Sequence, residues 1–241
     1  MNIAILKMGA IRKSVSEDYD ILLIDGIGIP SNQFTIINVP NGDELPYDAN
    51  FDGIVISGAA KMLTNEYDWL EPLSKWLRYF GEKHVPILGI CFGHQIIAHA
   101  WDGKIMDNPN GIEVGTKQID FRKEVKNDQL LKDYYPAINA QVSHVQSVIT
   151  LPEDSVVLAS SQQEPYQAFR IGENIWGLQF HPEFNADVIK KLIISKDEKY
   201  PGKIDVKRLL AEVIETPKSY SILKRFGEIV SSTQSHKDTE K

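Results

Sequence analysis

Four short runs near the start of the chain, NIAILKM (2–8), FTIINV (34–39), GIVISG (53–58) and VPILGI (85–90), are almost unbroken in apolar side chains. A strand with one wet face alternates apolar and polar residues. These do not, so they predict strands buried on both faces, bounded by Gly, Pro, Asn or Asp. A sheet covered on both sides needs helices, and TNEYDWLEPLSKWLRYFGEK supplies one between the third and fourth runs. Leu73, Trp76, Leu77 and Phe80 fall at i, i+3, i+4 and i+7 on one helix face, and Gly81 predicts its stop.

The middle of the chain alternates more. EVGTKQIDF, SVVLAS, YQAFRI and NIWGLQF read as strands, some of them antiparallel. Beyond His181, FNADVIKKLIIS, VKRLLAEVIE and SILKRFGEIVSS read as helices, with YPGK as a break and a polar tail at the end. The predicted fold is α/β: a flavodoxin-like, open, mostly parallel sheet with helices on both faces, plus some antiparallel strands. Residues 1–195 are expected to form the main domain and 196–241 a C-terminal helical extension whose simplest role is packing.

With 241 residues there is length for a substantial core, and a formal net charge of -7 argues against a nucleic-acid surface. The apolar start MNIAILKMGAIRK lacks the flanks of a signal peptide and reads as a first strand. No apolar run is as long as a membrane span. The expected location is cytoplasmic, with no membrane or nucleic-acid partner. A single cysteine excludes an internal disulfide and a multi-thiolate zinc site.

That cysteine stands in Gly89-Ile90-Cys91-Phe92-Gly93, between an apolar run and a helix-compatible one. G-x-C-x-G is the thiol counterpart of the G-x-S-x-G turn, which holds a nucleophile on a sharp strand-to-helix bend. Strained φ/ψ at the nucleophile leaves no room for a Cβ on its close neighbours, hence the flanking glycines. A helix N-terminus stabilises a thiolate, and its free N–H groups can hold an oxyanion. An inert buried cysteine is the alternative until a base is found.

Six histidines are candidates for that base: His84, His94, His99, His144, His181 and His236. His94 and His99 follow the bend too closely to swing back over the thiol, His84 lies in a polar turn and His236 in the tail. His181 ends an apolar strand and precedes Pro182 and Glu183. Residues i and i+2 of an extended segment point the same way, so Glu183 is expected beside the imidazole as its orienting group.

GICFGHQ together with QFHPE resembles the signature of class I glutamine amidotransferases, and the resemblance runs from about Asn2 to Ser195. Within that family the chain is most similar to stand-alone relatives of the GMP synthetase glutaminase domain, a group that includes γ-glutamyl peptidases. The resemblance implies Cys91 as nucleophile, His181 as general base and acid, and Glu183 as orienter. It implies oxyanion donors from the backbone of Phe92 and of Ala59, the latter in the loop Ser57-Gly58-Ala59-Ala60. It also implies substrate binding by Gly58, Gln95, Ser143, His144 and Val145. Two departures stand out: the oxyanion loop reads Gly58-Ala59-Ala60 where relatives have G-G-P or G-S-P, and Val145-Gln146 replaces glycine and an acid in the S-H-G-D-x-V loop.

The implied reaction is hydrolysis of a γ-amide through a Cys thioester, with no metal or organic cofactor. Three readings follow. The chain is a glutaminase feeding ammonia to a separate synthetase or acceptor subunit, a hydrolase of γ-glutamyl amides or peptides, or a non-catalytic binding module. The first needs a partner, because the sequence holds no P-loop and no ATP-pyrophosphatase domain.

Overall fold

The computed structural model describes residues 1–11, 15 and 18–239, with 234–239 described by their backbone alone. In chain order the elements are β1 (Ile3–Leu6), α1 (Tyr19–Ile27), β2 (Phe34–Ile37), β3 (Gly53–Ile56), α2 (Leu70–Glu82), β4 (Ile87–Ile90) and α3 (Phe92–Ala100). They continue with β5 (Lys104–Asp107), β6 (Glu113–Phe121), β7 (Ala137–His144), β8 (Gln146–Thr150), β9 (Val156–Ser160), β10 (Ala168–Ile171) and β11 (Ile175–Leu178). The helices α4 (Ala186–Lys199), α5 (Val206–Glu212) and α6 (Pro217–Thr239) complete the chain.

A 9-stranded sheet runs in the order β2-β1-β3-β4-β11-β10-β9-β6-β7, and β5 pairs with β8 apart from it. From β2 through β11 every neighbour pair is parallel, which is the flavodoxin-like winding with β11 in fifth place. From β11 outward every pair is antiparallel. The antiparallel part is larger than the sequence suggested, because β7 carries polar residues at Asn139, Gln141 and Ser143 that hid its strand character. β5, β8 and helix α1 were likewise not anticipated, and α2 passes Gly81 to end at Glu82.

The buried runs divide as a pleat requires. Ile3, Ile5, Val55, Leu88 and Ile90 face one apolar cluster, while Ala4, Leu6, Ile54, Ile56 and Ile87 face the other. The first face is covered by α1 and α6, through residues such as Leu23, Ile27, Leu223 and Phe226. The second is covered by α2 and α3, where Leu73, Trp76, Leu77 and Phe80 are buried on the expected stripe. Two glycines let α6 seat closely: a Cβ on Gly26 would stand 2.3 Å from Leu223, and one on Gly53 2.6 Å from Val230. Asn108-Pro109-Asn110-Gly111 is a turn, closed by Asn108 Oδ1 accepting from the N–H of Asn110 at 2.8 Å.

Because β1, β3, β4 and β11 are parallel, their C-terminal ends open on one edge. The loops after them carry Gly9, Gly58, Cys91 and His181 to the same place, the usual ligand edge of such a sheet.

Candidate active site

Cys91 follows β4 directly and caps the N-terminus of α3 with φ 52° and ψ -98°. This is sparsely populated backbone for a residue with a side chain, and a strained cysteine at a strand-to-helix corner is the geometry that G-x-C-x-G predicts. The surroundings hold it there. The Cys91 N–H donates to Leu178 O at 2.7 Å, and its carbonyl accepts from the Gln95 N–H at 3.1 Å. A Cβ on Gly89 would lie 2.4 Å from Gly93 O, and one on Gly93 only 2.3 Å from Ile56 O. Both flanking glycines are therefore required by backbone that cannot move aside.

His181 arrives by a different route from the one expected. β11 ends at Leu178, the chain bends, and His181 forms an isolated bridge to Gln141, its N–H donating to Gln141 O at 2.8 Å. Pro182 and Glu183 then turn, so the carboxylate reaches the ring through a turn rather than by alternation along a strand. The contact itself is as expected: His181 Nδ1 and Glu183 Oε1 are 2.7 Å apart, both side chains buried. Nε2 is left for the sulfur, and the imidazole hydrogen-bonds the Cys91 thiol.

Burial opposes ionisation of that thiol, but the charge of His181, its hydrogen bond, and the nearby charges of His144 and Lys196 outweigh it and hold Cys91 below the usual thiol range. Burial also opposes the charged form of His181. Glu183 and the thiolate prevail, and the imidazole is pushed up to about 10. Both shifts favour a thiolate beside an imidazolium. The ring lies on Phe184, with centroids 4.0 Å apart and planes 8° from parallel, and Tyr19 stacks beyond at 6.4 Å.

The loop after β3 is fixed by Ser57, whose Oγ accepts from the Met8 N–H at 3.0 Å and donates to Gly58 O at 2.9 Å. Gly58 has a tight place: a Cβ there would stand 2.9 Å from the Tyr19 hydroxyl and 3.0 Å from His181 Cε1. The N–H groups of Ala59 and Phe92 donate to no other described residue, and both residues line the cleft with Cys91 and His181. Two backbone donors therefore remain unspent at the cleft despite the alanines.

Gln95, Ser143, His144 and Val145 line the same cleft. Gln95 Nε2 donates to Gln146 O at 3.1 Å and to Gln179 Oε1 at 3.0 Å, which leaves its Oε1 as an unspent acceptor. His144 has no ring nitrogen to spare: Nδ1 meets Gln146 O at 2.9 Å and Nε2 meets Glu113 Oε2 at 2.7 Å. A hand in substrate binding is left to its main chain. Gln146, in the place of the expected acid, accepts from the Leu63 N–H at 2.7 Å and donates to Thr64 Oγ1 at 2.8 Å and Asp107 Oδ1 at 3.1 Å. A carboxylate there would face Asp107, a physical reason for glutamine at this position.

Among the other histidines, His94 is fully buried in α3 against Phe169, and burial lowers it to about 3, so it stays neutral. His99 pairs with Glu71 at 3.4 Å. His84 lies beyond α2, and the side chain of His236 lies outside the described residues. Sequence reasoning missed Tyr19, Phe184 and Glu113. Phe184, three residues beyond the histidine, was open to view; the other two are brought in by topology. Among the described residues no group of three or more His, Cys, Asp or Glu is placed to hold a metal ion.

Residues 27–198 match the family description "Glutamine amidotransferase class-I". The chain belongs to the class I glutamine amidotransferase family. It is 29% identical over 181 residues to γ-glutamyl peptidase 3 of Arabidopsis thaliana, covering 71% of each protein. It is 34% identical over 134 residues to one subunit of the glutamine-hydrolysing GMP synthase of Sulfolobus acidocaldarius, covering 55% of this chain and 68% of that one. In fold this amidotransferase-family enzyme resembles the crystal structure of a glutamine amidotransferase from Thermotoga maritima. The TM-score is 0.76 at 22% identity, over 95% of this chain and 97% of the other. No helix among the described residues is long and apolar enough to cross a membrane.

Proposed function

We propose that this enzyme hydrolyses a γ-glutamyl amide through a thioester on Cys91. One observation carries the reading: a strained thiol at a helix N-terminus hydrogen-bonds an imidazole whose far nitrogen is held by a buried carboxylate. The Cys91 thiolate adds to the γ-carbonyl, and the N–H groups of Ala59 and Phe92 stabilise the oxyanion. As the C–N bond breaks, the His181 imidazolium gives its Nε2 proton to the leaving nitrogen, and the thioester remains. His181 then takes a proton from water as the hydroxide adds to the thioester. Collapse releases glutamate and restores the thiolate and imidazolium. Glu183 keeps the ring in one tautomer throughout. Gly58, Gln95 Oε1 and the main chain of Ser143, His144 and Val145 would hold the amino-acid end of the donor.

Two donors fit this chemistry. Glutamine would make the enzyme an ammonia source, and that role calls for a separate acceptor protein, a reading supported by the likeness to a GMP synthase subunit. A γ-glutamyl amide with a larger amine needs no partner, and the likeness to γ-glutamyl peptidases supports it. The charge of the cleft favours the second. Lys61, Lys196 and Lys199 line it, and no Asp or Glu does among the described residues. A zwitterionic glutamine carries no net charge, whereas a γ-glutamyl amino acid adds a carboxylate on the amine side that this lining attracts.

The test is release of ammonia or amine from glutamine, γ-glutamyl amino acids and their carboxamides by the isolated chain, with Cys91→Ser as control. Turnover that survives Cys91→Ser overturns the mechanism. Turnover of glutamine alone restores the ammonia-donor reading.

A further inference from the structure

A second buried His–Glu contact lies at the same cleft. In the antiparallel register of β6 and β7, Glu113 stands directly opposite His144, and both side chains are about 1% exposed. The protonation of the ring follows from its partners. Gln146 O is a main-chain carbonyl that can only accept, so Nδ1 carries a hydrogen. Glu113 accepts from Ser161 Oγ at 2.6 Å and Gln167 Nε2 at 2.7 Å besides the ring. Nε2 meets the same carboxyl oxygen that accepts from Gln167, an arrangement that favours a hydrogen on this nitrogen as well. The geometry favours an imidazolium facing a carboxylate, shielded from water.

We propose that Glu113 and His144 are positioning residues of the active site, a fixed ion pair whose cation favours the anionic state of Cys91 and whose hydrogen bonds clamp the turn that holds the donor. The proposal rests on the thioester reading above. His144 is faced by Glu113 from β6, Glu164 from the loop after β9, Cys91 from the bend and His94 from α3. Burial disfavours its charge, and Glu113, Glu164 and the Cys91 thiolate together reverse the sign and raise it. Cys91 is faced by His181, His144, Lys196 and Tyr19. The clamp is visible in the bonds: the His144 ring ties to Gln146 O, and the Gln146 side chain ties the turn to Leu63, Thr64 and Asp107. Neither member touches the sulfur by a hydrogen bond, so removing the charge leaves the triad in place.

The test is the pH profile of Cys91 alkylation by iodoacetamide in wild type and Glu113→Gln, which keeps the side chain's size and lets His144 become neutral. Expected is a profile displaced to higher pH, with labelling slowed up to about tenfold on the acid side of the wild-type thiol transition and recovering to wild type at high pH. KM should rise by more than kcat falls. A packing role alone would lower activity evenly and leave the alkylation profile where it was, and that result overturns the proposal. Should Glu113→Gln not fold, the His144 Cε1–H resonance of the wild type decides. It should titrate above the ordinary histidine value, and a titration centred at or below about 6.5 overturns the ion pair. Wild type that alkylates normally while Glu113→Gln is unshifted sinks this proposal only. Wild type that fails to alkylate at neutral pH sinks the thioester reading with it.

Discussion

The imidazole of His181 lies flat on Phe184, 4.0 Å between ring centroids, while Glu183 of the same turn holds its Nδ1. Residues of a single turn thus set the position, plane and tautomer of one ring. The opposite nitrogen can point only towards the cleft, where the sulfur waits.

The thiol of Cys91 lies below its free value and the imidazole near 10, which fixes the pH dependence. Activity should rise with pH through the lowered thiol value, as thiolate forms, and fall on the alkaline side near 10, as the leaving-group proton is lost. In His181→Gln, burial acts on the thiol with far less opposition and drives its pKa back up. Iodoacetamide labelling at pH 7 should slow by at least about tenfold. Equal labelling would mean the ring does not activate the sulfur.

Gly58→Ala places a methyl 2.9 Å from the Tyr19 hydroxyl and 3.0 Å from His181 Cε1. Side chains rather than main chain must give way, so the melting temperature should change little. The displaced imidazole should cost about 100-fold in kcat, the usual penalty for misplacing a catalytic group by about 1 Å. Unchanged kcat in a folded variant would show that the ring has slack.

Gly93→Ala is the contrasting case, because its methyl would meet Ile56 O at 2.3 Å and main chain would have to move. Urea unfolding should show a loss of at least about 1–3 kcal/mol.

Gln146→Glu restores the acid that related loops carry, and should not restore their function. The variant loses the donor to Thr64 and Asp107 and sets one carboxylate against another. A stability loss of about 1–3 kcal/mol is expected, larger at pH 8 than at pH 5, where the new group is more often protonated. Thermal melts at the two pH values measure the difference.

Lys61 follows the oxyanion loop and hangs over Tyr67 and Trp69 at 5.7 and 5.8 Å, with burial lowering its pKa. Lys61→Gln should reduce kcat/KM for a γ-glutamyl amino acid about threefold to tenfold and leave its carboxamide unaffected. Equal losses on both substrates would show that the lysine does not read the carboxylate.

The readable parts of the sequence were those where one residue type has one physical job. Gly89 and Gly93 announced a crowded bend, and the backbone oxygens against them are the crowd. The stripe from Leu73 to Phe80 announced a helix packed on a sheet, and it is buried there. β7 was hidden because two of its polar side chains turn inward: Gln141 is buried on Thr116 and Ile214 O, and Ser143 lines the cleft. Tyr19 and Glu113 were hidden for a related reason. Tyr19 reaches the cleft from the start of α1, and Glu113 meets His144 through the register of β6 and β7, contacts that no local pattern records. His144 was placed in the right cleft, but its ring proved to be engaged with the protein on both nitrogens.

The seating of α6 against Gly26 and Gly53 has a consequence for synthesis. The part of the sheet face under α6 stays uncovered until Leu223 and Val230 have left the ribosome, although Cys91, His181 and Glu183 were all translated earlier. A nascent chain therefore carries its sulfur on a scaffold still missing part of its apolar cover.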